Sequence, residues 1–509
     1  MRGAACKGGP YRDAVSGEPQ PSYEDLEALV ALQAGRIGEL EALLGSRDVR
    51  IDALEAMVGR LAAENEELRR RAGSDSSNSS RPPSSDSPYG KPKPKPSGMR
   101  GTSGRKPGKQ PGEPGRTRRQ AGDPDEVITV EPGCCGGCGA GLSSAAVAGV
   151  QRRQVFECRP PPPPRVVEYR VVARRCAGCG KVSRGQAPAG VSAPVQWGPS
   201  VLARAVLLTL AHYLPYGRAA LVLRQLAGLA VSTGFLVAAR RRAAGLLEPL
   251  MVRVRQLLAA AGLLHAGETP ARADGSLAYL HVACNDSYTA MHTGGRSAAD
   301  IDAGGVLPGF AGVLVRDGYA GYTHLVAAQH AWCGAHLLRD LKAVHDADPD
   351  RQTGAAAVAT TLAGALHAAS AAHAAGQTEL HPDRLESLQS AYAGALARVR
   401  DDNAPGRTPT QQRGLTLADR FDTHRDMTLR FLHDLAVPFT NNSAEREVRP
   451  AKVKQRAAGG CWRTLQGLAD FAAICSYLST AAKHGTDALD ALTQLLTTGP
   501  WLPPDPAPT

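Results

Sequence analysis

From Gly73 to Gln120 the chain reads GSDSSNSSRPPSSDSPYGKPKPKPSGMRGTSGRKPGKQPGEPGRTRRQ, with almost no apolar side chain. Such a stretch cannot bury enough surface to offset the entropy of ordering it. No single core can therefore run through the 509 residues. Separate units must form on either side of a disordered Ser/Pro-rich basic linker, set here at 73–122. Between Lys91 and Arg119 ten Lys or Arg stand against one acid, Glu113. An arm of that kind tracks phosphates without reading sequence, and its affinity is salt-sensitive. The whole chain agrees, with a net charge of +11 that favours nucleic acid over membrane as the partner.

Before the linker, residues 23–72 carry a heptad seam. Val30, Ile37, Leu44, Ile51, Val58 and Asn65 share one position. Leu26, Gln33, Leu40, Arg47, Leu54, Leu61 and Leu68 share the other. β-Branched residues at the first and Leu at the second favour a parallel two-stranded coiled coil, with Asn65 fixing register. Gln33, Arg47 and four glycines weaken the zipper. The alternative is one amphipathic helix packed on its own chain. The extent of the seam favours a homodimer or higher oligomer.

After the linker, residues 123–190 hold two C-x-x-C pairs, Cys135/Cys138 and Cys176/Cys179, out of eleven cysteines. In a reducing compartment such pairs point to metal rather than disulfides. Four thiolates make a closed tetrahedral site, so the expectation is a structural zinc ribbon. Gly139 and Gly180 follow the second cysteines and would let each knuckle tighten. Cys134 is a possible replacement for Cys135, and Cys158 reads as a strand residue. The segments RQVFEC and RVVEYRVVARR alternate like strands on either side of Pro160–Pro164.

Residues 195–260 have helical apolar spacing, with breaks at Pro215 and Gly228. A helix-turn-helix DNA-binding domain and a plain helical hairpin fit them equally. In 261–345 the strand-like runs AGLLHAG, LAYLHVAC and YTAMHT follow one another through Asp274-Gly275 and Asn285-Asp286 turns. A helical run, RSAADIDAGG, then precedes a fourth strand, FAGVLVRDG. That order fits a ribonuclease-H-like sheet in which the fourth strand lies beside the first, and Asp317 ends the fourth. Residues 350–436 read as a helical insertion. The core resumes at 437–490, where Asn441, Asn442 or Ser443 can cap a helix carrying Glu445, Arg446, Arg449, Lys452 and Lys454. Spacing puts Glu445, Arg449 and Lys452 on one face. Residues 500–509 are a disordered tail. The fold class expected is multidomain α+β.

The first residues lack the apolar segment of a secretory signal. The apolar run Val201–Leu214 is interrupted by Arg204 and too short to span a bilayer. A cytoplasmic, nucleoid-associated bacterial protein with no membrane partner is expected.

Several stretches together resemble the transposases of the insertion-sequence-66 family, nearly from end to end. They are NSSRPPSSD (78–86), the two knuckles, LPYGRAALVLRQLAGLAVSTGFL (214–236), VLVRDGYAGY (313–322), CGAHLLRDL (333–341) and VPFTNNSAEREVRPAKVKQRAAGG (437–460). The resemblance implies DNA cleavage and strand transfer by a three-carboxylate, two-metal site of the DDE type, with Mg²⁺ as the catalytic ion. It carries Asp317 to the second aspartate and Glu445 to the glutamate. It places DNA contacts among Arg446, Arg449, Lys452 and Lys454. Cys333 and His336 match a C-x-x-H element of architectural character. The implied partners are element ends and target DNA, with companion proteins encoded by the same element.

The family pattern at the first carboxylate is Asp-Glu-Thr, and this chain has Gly267-Glu268-Thr269. Glycine offers no ligand, so Mg²⁺ binding should be weakened and catalysis impaired. Glu268 is the possible substitute, but neighbouring strand residues point to opposite faces, so it should turn away unless a bulge rotates it. The remaining reading is a non-enzymatic DNA-binding relic or regulatory partner that occupies element ends.

Overall fold

The computed structural model describes residues 22–73, 118–404 and 406–503. Residues 74–117, which hold most of the linker with its basic run and Asn78–Asp86, lie outside the described residues, as do 504–509 of the tail.

Helix α1 is one continuous helix, Tyr23–Gly73. Its seam residues, Val30, Ile37, Leu40, Leu44, Ile51, Leu54, Val58 and Leu61 among them, are all exposed. Among the described residues, nothing covers this part of the seam. In the knuckle region a short hairpin, β1 (Ala173–Arg175) and β2 (Val182–Arg184), flanks Cys176–Cys179. Only the end of RVVEYRVVARR forms a strand, and RQVFEC forms none. Pro160–Pro164 can donate no backbone hydrogen bonds, and Val155 and Phe156 find no sheet to pack on.

Four helices follow: α2 (Pro199–Val206, running on as a π-helical turn over Leu207–Ala211), α3 (Tyr216–Ala227), α4 (Thr233–Gly245) and α5 (Glu248–Ala259). The breaks sit where the sequence puts them. Pro215 caps α3 at its start and Gly228 ends it with φ +67°. Ser232 caps α4 through a hydrogen bond from the Phe235 N–H, 3.1 Å.

The sheet has five strands: β3 (Leu263–Ala273), β4 (Ser276–Cys284), β5 (Thr289–Gly294), β6 (Val313–Arg316) and β7 (Gln329–Trp332). Their order is β5-β4-β3-β6-β7. The first three are antiparallel neighbours, and β6 and β7 run parallel to β3. Asp274 (φ 53°) and Gly275 (φ 74°) make the tight β3–β4 turn. Between β5 and β6 lies α6 (Ala298–Asp302), whose Ser297 and Asp300 cap each other reciprocally. The fifth strand was not expected, because QHAW is too short and too polar at its start to signal one.

Beyond the sheet come α7 (Gly334–Ala347), α8 (Thr353–Ala374), α9 (Pro382–Asn403), α10 (Pro409–Thr423) and α11 (Arg425–His433). The chain then continues through α12 (Asn442–Ala457), α13 (Leu465–Lys483) and α14 (Ala488–Thr497). Two cores result, one on each face of β6. Leu264 and Leu314 join the core built from α2–α5 and α12–α14. Val315, Ala331 and Trp332 join the core of α7–α11. The helices of 195–260 therefore share one core with the sheet. Helix α8 is long and apolar enough to cross a membrane by length and composition. Its Val358, Leu362 and Ala365 pack in the second core, as core helices of this composition do.

A buried ion pair fastens the preceding helices to the sheet's cover. Arg240 on α4 donates to Asp470 on α13 at 2.8 Å, with side chains 8% and 4% exposed. Arg240 also donates to the Tyr216 hydroxyl, 2.8 Å, and Gln466 donates to the other Asp470 oxygen, 2.8 Å. Helix α4 thus packs inward through Leu236, Ala239, Arg240 and Ala243, while Arg241 and Arg242 face solvent.

Candidate active site

Alternation along β3 and β6 decides which side chains meet. The parallel register pairs Leu263 with Val313, Leu264 with Leu314 and His265 with Val315. Carried forward two residues, it sets Gly267, midway along β3, level with Asp317 just past the end of β6. Both belong to the alternating set that faces the start of α7. The β3–β4 ladder runs unbroken from His265↔Cys284 to Ala273↔Ser276, so no bulge rotates the strand.

The start of α12 lies over the same place. Asn441 precedes the helix without capping it by its side chain. Its Nδ2 donates to the Ala266 carbonyl, 2.7 Å, which leaves Oδ1 to accept from His265 Nδ1, 2.9 Å. Its backbone N–H donates to the Cys333 sulfur, 3.1 Å. The expected cap is therefore replaced by a staple between β3, α7 and α12. Gly334 makes the crossing possible: its N–H donates to the Phe439 carbonyl, 2.7 Å, and a Cβ there would fall 2.0 Å from the Phe439 ring. His265 is buried and kept neutral, since burial pulls its pKa down against the Asn441 hydrogen bond.

This staple sets Glu445 in the first turn of α12 beside His336 of α7. Asp317 and Glu445 both act electrostatically on His336. Glu445 Oε1 is 3.8 Å from His336 Nδ1, and Glu445 Oε2 is 4.0 Å from Arg449. Asp317 accepts the Tyr319 N–H, 3.0 Å. Cys333 completes the group. Burial would raise its thiol pKa, but the hydrogen bond and charge of His336 carry it below the ordinary value. Burial would lower His336, and Cys333 with the two carboxylates raises it instead.

Position 267 adds nothing polar to this group. A Cβ on Gly267 would lie 3.6 Å from the Ala444 Cβ and 3.7 Å from Asn441 Nδ2, which is ordinary contact. Position 267 faces the start of α12. Glu268 faces the other way. Its side chain, 2% exposed, accepts from Arg296 at 2.8 and 3.0 Å and from the Tyr322 hydroxyl at 2.7 Å. Arg296 in turn lies 3.7 Å over the Tyr319 ring. Asp317 and Glu445 both act on His336, and Glu268 stays in this separate buried pairing.

The four cations of α12 singled out from the sequence divide. Arg446 and Arg449 are exposed, with the Arg449 side chain 70% so. Lys452 donates to the Pro270 carbonyl. Lys454 is buried, donates to the Leu214 carbonyl at 2.8 Å and sits 5.3 Å over the Tyr216 ring. Burial draws its pKa down to about 8. These two lysines fasten α12 to β3 and to the helices before it.

Each cysteine knuckle is formed as a turn. Gly139 and Gly180 have φ +76° and +69°. The backbone N–H groups of Cys138 and Gly137 hold the Cys135 thiol below its ordinary pKa, and those of Cys179 and Gly178 do the same for Cys176. Among the described residues, the group of potential metal ligands gathered within 4.8 Å is Cys333, His336 and Glu445. The four knuckle sulfurs are not drawn into one such group. Sequence reasoning noted Cys333 and His336 but not their junction with Glu445. The signal was the C-x-x-H spacing at a helix start, which puts both side chains on one turn.

The core is a mixed α+β fold in which Asp317 follows β6, His336 lies on α7 and Glu445 lies on α12. Residues 194–469 match the transposase IS66 family, and the chain belongs to that family. The match is narrower than the near end-to-end resemblance suggests, and it leaves out the knuckles. Residues 19–119 match a family of unknown function (DUF6444). A relative is the uncharacterized protein y4qI of Sinorhizobium fredii (strain NBRC 101917 / NGR234), 28% identical over 212 residues. That alignment covers 38% of this chain and 36% of the relative's length.

Proposed function

We propose that this is a DNA transposase of an insertion sequence whose DDE-type site is impaired by Gly267. The observation that carries the reading is that Asp317 and Glu445 both act on His336 while Gly267, level with Asp317 by register, offers no ligand. The strand order β5-β4-β3-β6-β7, with three antiparallel strands and then two parallel ones, supports a ribonuclease-H-like core. The residues fit a two-magnesium site incompletely. Asp317 and Glu445 offer the hard oxygens Mg²⁺ prefers, and position 267, which should bridge the ions, offers none. Glu268 would have to abandon Arg296 and Tyr322 to serve. The second reading, a DNA-binding relic or regulatory partner at element ends, rests on the same glycine and differs only in whether strand transfer survives.

DNA binding is assigned to Arg446 and Arg449 on the open face of α12 and to the basic 91–119 arm. Lys452 and Lys454, spent on backbone carbonyls, are left as anchors. A structural zinc ribbon at Cys135, Cys138, Cys176 and Cys179 is supported by the two knuckle turns. A dimer through α1 is supported by its uncovered seam, with companion proteins as further partners.

Fluorescence anisotropy on end-containing duplex DNA tests the reading. Binding should weaken steeply with salt, and Arg449→Ala should lower affinity for all sequences while reducing the salt slope by about 1. Absence of binding at low salt would remove the proposal. The assembly is tested by sedimentation: removing residues 1–72 should drop the particle to one chain, and an unchanged mass would rule out the α1 seam.

A further inference from the structure

We propose that Cys333, His336 and Glu445 form a binding site for a borderline-soft transition-metal ion of the zinc type, a site separate in chemistry from hard-cation catalysis. Three donors of different kinds (thiolate, imidazole and carboxylate) come within 4.8 Å of one another. Such a set suits zinc, whereas magnesium takes oxygen ligands.

Local structure explains why the donors converge. Cys333 is the residue before α7 and His336 lies in its first turn, so their i, i+3 spacing puts them on one side. The Asn441 staple brings the first turn of α12, with Glu445, against that turn. The separation of His336 Nδ1 from Glu445 Oε1, 3.8 Å, is close to the edge of a tetrahedron around one ion with bonds of about 2.0–2.2 Å.

The second observation is unmet bonding. His336 Nδ1 and Glu445 Oε1 are both shielded from solvent and have no hydrogen-bond partner. Buried polar atoms are rarely left so, and an ion between them would satisfy both. Cys333 also has a built environment, with the Asn441 N–H aimed at its sulfur as in metal–thiolate sites. Binding would release the thiol proton and any proton on the imidazole nitrogen that ligates. Three protein ligands leave one position open, which distinguishes this site from a closed structural one. Because Glu445 is shared, an ion held here would take the carboxylate away from a hard cation.

Binding at these donors does not require that the chain cut DNA. The test is cobalt(II) titration of the full chain carrying Cys135→Ser and Cys176→Ser, read by the thiolate-to-cobalt charge-transfer band and the visible ligand-field band. One equivalent should bind with a mixed sulfur, nitrogen and oxygen signature. Cys333→Ala should abolish the charge-transfer band at that equivalent, and His336→Ala and Glu445→Gln should each weaken binding at least about tenfold. Zinc should displace the cobalt, and magnesium should not. Should Cys333→Ala or His336→Ala fail to fold, Glu445→Gln decides, being isosteric and partly exposed. No thiolate band in the parent, or uptake by Glu445→Gln indistinguishable from the parent, would overturn the proposal. Transposition activity enters neither readout, so failure of this site and failure of the transposase reading are separable.

Discussion

Gly267→Asp should raise Mg²⁺-dependent cleavage of end-containing DNA by roughly three orders of magnitude, the scale on which losing one member of a catalytic constellation is felt. The geometry makes this a fair substitution. Position 267 is level with Asp317 by register, faces α12 and has room for a Cβ at 3.6 Å from its nearest neighbour. Its backbone lies in an unbroken ladder, so no left-handed conformation excludes a side chain. The restored carboxylate would join Asp317 and Glu445 without disturbing Glu268, which stays with Arg296 and Tyr322. Equal rates for the two proteins, both well above background, would mean that another group supplies the missing ligand. Glu268→Gln would then identify that group: loss of activity would assign the role to Glu268, at odds with its place in the structure.

The second large effect is on stability. Asp470→Ala should destabilise the fold by about 3–5 kcal/mol, because it leaves the Arg240 guanidinium buried without its counter-charge. Arg240 is 8% exposed, and its remaining partner is the Tyr216 hydroxyl. The exposed Arg400–Asp419 pair, with side chains 39% and 68% exposed, should cost about 0–1 kcal/mol when broken by Asp419→Ala. Replacing both buried partners with apolar residues of similar volume, Arg240→Met with Asp470→Leu, should recover most of the loss. Denaturant melts of the four proteins measure this. An Asp470→Ala cost below about 1 kcal/mol would show that water reaches Arg240 and that α4 is not pinned to α13 as described.

Where sequence and structure agree, a local rule acts alone. Asp-Gly at 274–275 demands positive φ, Ser232 offers an oxygen to a free N–H, and Gly228 stops a helix. Each works over four residues with no help from the fold. The placement of Asp317 beside the first strand follows from strand order, and Gly267 was visible as soon as the pattern around it was read. What the sequence hid depends on distant partners. Nothing local tells Asn441 to bond Ala266 and His265 rather than cap its own helix, since those residues lie about 175 positions away. Lys454 looks like its neighbour Arg449 in sequence. It is buried only because Leu214 and Tyr216 cover it. The segments around the knuckles alternate like strands, but RQVFEC has no neighbouring strand to pair with and forms none, which leaves Val155 and Phe156 exposed. Glu445 lies 112 residues from Cys333 and 109 from His336, and meets them only because the fold sets α12 beside α7.

The central claim is that Gly267 leaves the carboxylate site one ligand short. The most direct measurement is the number of Mn²⁺ ions held at the Asp317–Glu445 site, located by anomalous scattering in DNA-bound crystals of the parent and of Gly267→Asp. The account predicts two ions in the variant and at most one in the parent. Two ions in the parent, at the same positions and occupancies, would contradict it.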